Sequence, residues 1–318
     1  MKMLPKISMF LAMLGLITFV ACEKESNNVA VPNTVSETSF FKGVSEKDGM
    51  LVFESEAHIQ MLTESMLQDR TKTTQQLNEQ FPKFRSNRIA YEQFMARTDL
   101  ETLTAESIKV NNHLICFIKK CDGDKYLQKS IDSYFLSSIC NEDGFFQVDS
   151  VIYKITYDMV YQYDAQSRVE IKKDKVERSG VGDDSRICDT QNADFICNAG
   201  TDRVQAIYCA TSWGVYSEAG VSAKSFRRNT SGSFVSLVVP SVNVTGSYTL
   251  NRFRLTLLGK KFCSSTSFTA NKTATNTDSV EDLGTSCWGC CAALATPTAT
   301  SIGKVTNGTC TGTATLSF

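Results

Sequence analysis

Lys125-Tyr126-Leu127-Gln128-Lys129-Ser130-Ile131-Asp132-Ser133-Tyr134-Phe135-Leu136-Ser137-Ser138-Ile139-Cys140-Asn141-Glu142-Asp143-Gly144-Phe145-Phe146-Gln147-Val148 is where the chain changes its period. Leu127, Ile131, Tyr134 and Phe135 recur at i, i+4, i+7 and i+8, which predicts a helix over 125–139. Asn141-Glu142-Asp143-Gly144 then supplies a turn signal. Beyond it Phe146 and Val148, then Val151, Tyr153, Ile155 and Tyr157, alternate with polar residues, the period-two pattern of a β-hairpin or meander. Helical signals lie mostly before this point and strand signals after it.

Working toward the N-terminus, Leu114-Ile115-Cys116-Phe117-Ile118 is a buried run of either type. Ile89, Ala90 and Phe94 predict a helix near 87–97, and Pro82 marks a break before it. Residues 70–83 are polar and continue as an exposed helix or a loop. Ser55 offers an N-cap, Glu56 sits in the first turn, and Ile59, Leu62 and Met66 follow at helical spacing, so 56–69 is read as a helix. Met50-Leu51-Val52-Phe53, behind Asp48-Gly49, reads as a strand or an extended lead-in.

Toward the C-terminus, residues 165–187 are charged and then rich in Gly and Asp, as suits a hairpin tip or linker. From 203 onward Ser, Thr and Gly rise while Lys and Glu fall. Val204, Ala206, Tyr208 and Ala210 alternate, as do Phe253, Leu255 and Leu257. Short alternating strands with frequent turn residues point to an antiparallel sandwich. The expected fold class is therefore α+β, with a helix-rich N-terminal part and an antiparallel, sandwich-like β-rich C-terminal part. The divisions are a signal segment 1–21, a tether 22–42, a helix-rich domain 43–180 ending in a hairpin, a linker 181–202 and a β-rich domain 203–318.

The N-terminus fixes the expected compartment. Lys2 and Lys6 precede an apolar run from Ile7 to Val20, and Phe19-Val20-Ala21-Cys22 closes it with a small residue before a thiol. This is the layout of a bacterial lipoprotein signal, with cleavage before Cys22 and acylation of that residue. The run is 14 residues long, short of the roughly 20 that cross a bilayer as a helix. Residues 23–42, rich in Asn, Ser, Glu and Val, suit a flexible tether. The formal charge of -1 becomes -3 without Lys2 and Lys6. No basic stripe stands ready to neutralise phosphates, so nucleic acid is excluded as a partner.

Twelve cysteines less Cys22 leave eleven. An oxidising compartment could pair ten of them. Cys188 with Cys197, Cys116 with Cys121, and Cys310 with one of Cys287, Cys290 or Cys291 are candidate pairs. Cys287-Trp288-Gly289-Cys290-Cys291 is the sharpest local feature, since a Cys-x-x-Cys can be a redox pair. Barely one helical turn follows it before Pro297, and Trp288 lies between the thiols, so structural thiols or a disulfide with a packed Trp fit better. Zinc wants two clear ligand pairs, and only one is present. An EF-hand counted from Asp122 fails, with Tyr126, Leu127 and Ser133 at the fifth, sixth and twelfth positions. His58, placed as solvent-facing, and His113 are the only imidazoles, and no G-x-S-x-G accompanies them. Neither a metal nor another cofactor is implied. Trp213, Tyr216, Phe226, Tyr248 and Trp288 could form a glycan-binding face, although aromatics in a β-domain are more often core.

Asp48 to Glu56, Leu136 to Val148 with Ile152-Tyr153-Lys154-Ile155, and Ala210 to Tyr216 resemble recurrent pieces of uncharacterised Bacteroidota surface lipoproteins. The acidic start Cys22-Glu23-Lys24-Glu25 resembles their export signals. The resemblance implies an outer-membrane location, anchored by lipid and facing outward, and carries no activity with it. The expected role is binding, adhesion or envelope interaction, with the membrane and a glycan or envelope protein as partners. An envelope thiol oxidoreductase or a hydrolase built on dispersed carboxylates is the alternative.

Overall fold

The computed structural model describes residues 41–104, 108, 113–119, 123–179, 192–197, 201–213, 216–256, 259–288, 292–307 and 310–317. The signal segment, Cys22 and nearly all of the tether lie outside them. The chain opens with β1 (Val44–Lys47), β2 (Met50–Phe53) and three helices, α1 (Glu56–Gln68), α2 (Arg70–Gln80) and α3 (Asn87–Arg97). Next come β3 (Ile115–Lys119), β4 (Lys125–Lys129) and α4 (Tyr134–Ile139). A run of short strands follows: β5 (Phe145–Val148), β6 (Val151–Ile155), β7 (Met159–Asp164), β8 (Glu170–Lys175), β9 (Glu177–Ser179) and β10 (Asn192–Cys197). The remainder is β11 (Asp202–Trp213), β12 (Tyr216–Arg228), β13 (Phe234–Ser236), β14 (Val239–Thr256), β15 (Gly259–Thr277), β16 (Ser279–Trp288), β17 (Ala292–Asn307) and β18 (Cys310–Ser317).

Among the described residues the fold is mostly β, in three sheets. The expected helix-rich N-terminal part is instead mixed: all four helices seen among the described residues precede residue 140, but a six-stranded sheet ordered β1-β2-β5-β6-β7-β8 shares that region. Local chemistry places many of these elements. Asp48 and Gly49 both take positive φ, 52° and 72°, which closes a two-residue hairpin whose twist matches that of its strands. Asp69 accepts from Lys72 N–H to cap α2, and Ser86 accepts from Ile89 N–H to cap α3. The 145–157 alternation becomes the antiparallel β5-β6-β7 meander, and β8 extends it into the charged segment read as a tip or linker.

The single helix expected over 125–139 divides. Lys125–Lys129 pairs antiparallel with Ile115–Lys119, and only Tyr134–Ile139 is helical. Tyr126 and Leu127 are neighbours in sequence and both buried, on opposite faces of β4. A strand covered on both faces loses its period-two signature, and Leu127 then mimics the first residue of a helical stripe. Ser133 starts the true helix by accepting from Leu136 N–H at 3.1 Å.

An eight-stranded sheet ordered β10-β11-β12-β13-β4-β3 carries β16 beside β12 and β9 beside β11. It draws strands from both sides of residue 180. The third sheet is β15-β14-β17-β18. Val204, Ala206, Val221, Ala223 and Val280 of the eight-stranded sheet share one apolar cluster with Val239, Val242, Val244 and Ala270 of the third. Alternation along β12 sends the other set of side chains, including Tyr216, Glu218, Ser222 and Lys224, to the opposite face. That face meets the helices: Trp288 and Tyr216 join Phe135, Phe146 and Tyr153 in the largest core cluster.

Candidate functional site

The residues that combine charge, burial and space meet around Asp132-Ser133-Tyr134, at the N-terminus of α4. Ser133 Oγ, already the cap of that helix, donates to Glu218 Oε2 at 2.8 Å. Tyr216 O–H donates to the same oxygen at 2.7 Å. Glu218 is only 3% exposed. Burial, and secondarily the nearby Glu281 carboxylate, pushes its carboxyl up to about 7, against the opposite pull of the Tyr216 and Ser133 hydroxyls. Burial also pushes Glu281 up, and Arg70, 3.8 Å away, pulls it back. Lys224 pairs with Asp132 at 2.9 Å. The polar face of β12 and β16 thus enters the interior already matched to charged and hydroxyl groups from the helices.

Tyr134 links this buried layer to the surface. Arg70 lies 4.4 Å and Arg88 5.3 Å from its ring centroid, and its hydroxyl is 3.2 Å from Thr74 Oγ1. Beside it opens a cleft of about 520 Å³ lined by Thr71, Thr74, Gln75, Asn78, Glu79, Arg88 and Tyr134. Asn78 Oδ1 and Arg88 Nε, both at the cleft wall, are buried without a hydrogen-bond partner among the described residues. The lining offers donors, acceptors, one cation and one anion.

The site foreseen from sequence lies elsewhere. Cys22, Cys188, Cys290 and Cys291 are outside the described residues, as is Cys121, the candidate partner of Cys116. The backbone places Cys287 in β16 opposite Ser217 and Cys197 in β10 opposite Asp202. Cys310 begins β18 opposite Asn307. Trp288, Tyr216 and Phe226, weighed as a glycan-binding face, are 2%, 1% and 2% exposed and belong to the core. Trp288 packs edge-on against Phe146 and Tyr153, at centroid distances of 5.7 and 5.4 Å. Trp213 and Tyr248 fall in β11 and β14.

His58 is half-buried rather than solvent-facing. Its ring bonds Ser55 Oγ at 2.9 Å and fills the space where Gly43 lacks a Cβ. His113 is exposed, and its carbonyl accepts from the Asn87 amide. Asp124 accepts from Arg203 and Arg228, and Glu142 pairs with Arg85 at 2.8 Å, so these carboxylates serve ion pairs. Among the described residues no three His, Cys, Asp or Glu side chains gather as a metal site would require. Glu218 and the cleft carried no sequence signal: a Glu in a strand and polar residues on α2 read as solvated.

Among the described residues, fold and site together define a mostly β protein of three sheets, with a polar cleft walled by α2, α3 and the first residue of α4. No family model matches the chain, and no curated protein does. Among solved structures it is similar to a DUF4848 family protein from Bacteroides thetaiotaomicron, at 13% identity, covering 86% of this chain and all of that one. The TM-score is 0.26, too low to transfer a fold or a role.

Proposed function

We propose that this protein is a lipid-anchored outer-membrane lipoprotein that binds a small polar ligand, of glycan type, without transforming it. The cleft beside Tyr134 carries the reading. Gln75, Asn78, Glu79 and Arg88 present planar groups that can each engage a pair of hydroxyls, and Thr71 and Thr74 add single ones. Both guanidiniums near Tyr134 compete for its ring, so recognition there is by hydrogen bonds rather than by stacking. Glu218, the most perturbed carboxyl near the cleft, is sealed behind α4 and is not offered to a ligand. Anchoring rests on Cys22 and the apolar run before it.

Two measurements test the two halves. Mass spectrometry of the membrane-extracted protein should find acyl chains on residue 22; an unmodified Cys22 in a soluble product refutes the anchor. A neutral-oligosaccharide array probed with the full chain should return ligands whose affinity drops at least tenfold in Arg88→Ala and Asn78→Ala. Retention that ignores both substitutions refutes the cleft.

A further inference from the structure

The face of the six-stranded sheet turned away from the core carries a row of alternating rings and cations. The register aligns Phe145 of β5 with Lys154 of β6, Lys154 with Tyr161 of β7, and Tyr161 with Lys173 of β8. Residues directly opposed in an antiparallel pair share a face, so these side chains stand together. Their chain neighbours Phe146, Tyr153 and Val160 point the other way, into the largest core cluster. Phe145, Lys154 and Tyr161 are half-buried and Lys173 is exposed, and the core clusters of the described residues include none of them. Lys154 Nζ lies over the Phe145 ring at 5.0 Å, and Lys173 Nζ over the Tyr161 ring at 5.7 Å. Each ammonium is thus steadied by the ring beside it, and neither joins an ion pair among the described residues. Of the carboxylates in β5 to β8, Asp164 and Asp174 align with core-facing Val151 and Val160, and Glu170, opposite Tyr163, shares the outer face.

Lysines on an edge strand guard it against pairing with another sheet, and Lys173 by itself would read so. Lys154 stands two strands inward, where no edge needs guarding. Strands about 4.8 Å apart set the roots of Lys154 and Lys173 about 10 Å apart. Phosphates along one strand of a duplex recur about every 3.4 Å, and single-stranded bases need bare rings to stack on, whereas ammonium groups overlie these rings. A linear polysaccharide charged on every second sugar presents its anions at nearly the separation of the two lysines. Tyr161 and Tyr163 add phenol hydroxyls for its sugar hydroxyls, and Lys175, opposite Met159, adds a further cation to the same face. We infer that the outer face of β5 to β8, centred on Lys154 and Lys173, binds an acidic polysaccharide carrying one carboxylate per disaccharide. This site is separate from the cleft beside Tyr134 and does not rest on the function proposed there.

Hyaluronan, which bears one carboxylate per disaccharide and no sulfate, is the probe. Binding of the full chain to immobilised hyaluronan is read by biolayer interferometry and should weaken with added salt. Lys154→Gln and Lys173→Gln should each lower affinity about threefold to fivefold, with the melting temperature unchanged. Lys172→Gln makes the same change of charge on the opposite face, where Lys172 pairs with Asp174 at 2.8 Å, and should leave affinity as it is. No binding by the wild type overturns the inference, as does an equal loss in Lys172→Gln, which would reduce the effect to overall charge. Single-stranded DNA that competes as well as hyaluronan at equal charge also overturns it. A loss in Arg88→Ala with none in Lys154→Gln or Lys173→Gln overturns it too and moves the ligand to the cleft.

Discussion

Glu218 makes folding depend on pH in a direction opposite to that of most carboxylates. Its carboxyl titrates at about 7 in the folded chain, against an ordinary value of 4.5. Between those values the folded state holds a proton that the unfolded state has released, so unfolding free energy falls as pH rises. A gap of this size corresponds to about 3 kcal/mol, most of it lost between pH 5 and pH 8. Glu218→Gln keeps an acceptor for Tyr216 and Ser133 and removes the ionisation. The substitution should therefore be near neutral at pH 5 and stabilising by about 2 to 3 kcal/mol at pH 8. Urea unfolding of both proteins at the two pH values, followed by tryptophan fluorescence, reads this directly. The nearby Glu281 carboxylate contributes to the shift, so the difference reports Glu218 together with its repulsion from Glu281. If Glu218→Gln loses stability at pH 8, or if the difference does not change with pH, the buried-acid reasoning fails.

Three further substitutions probe packing. Trp288→Ala should cost about 3 to 5 kcal/mol, because it empties a nearly sealed site between Phe146, Tyr153 and Tyr216; denaturant titration checks it, and a cost below about 1 kcal/mol would show that the ring is dispensable. Gly43 sits at φ +83°, where a Cβ would come within 2.3 Å of His58 Nε2. Gly43→Ala should destabilise by about 1 to 3 kcal/mol, and His58→Ala should recover part of that loss. A double-mutant cycle with zero coupling would refute the contact.

Much of the local structure was legible because its cause is local. Asp48-Gly49 demands a tight turn wherever it sits, Ile59, Leu62 and Met66 at helical spacing specify α1 (Ser55 holds the N-cap position, but its hydroxyl bonds His58 rather than a backbone N–H), and the 145–157 alternation specifies a meander. The alternation at 204–210 declared β11 the same way, because Val204 and Ala206 pack with small apolar residues of the facing sheet. The error at 125–139 has the converse cause. The environment of Tyr126 and Leu127 is set by Phe226, Phe234 and Val235, about a hundred residues away, and no local period encodes that.

The site follows the same division. Trp288 read as either core or ligand platform, and only the arrival of Phe146 and Tyr153 made it core. Glu218 is one carboxylate among 34 in the sequence, and its spacing in β12 marks only which face it occupies. It became a titrating group near neutrality because α4 places the Ser133 cap over it and excludes water. By itself the sequence determined the local turns, the alternating segments such as 145–157 and 204–210, two of the helices, α1 and α3, and the lipid-signal pattern at Cys22, all of which depend on neighbours in the chain. Tertiary structure alone decided which polar residues are buried, because the desolvation that shifts a carboxyl comes from whatever packs against it, and that arrives from distant parts of the chain.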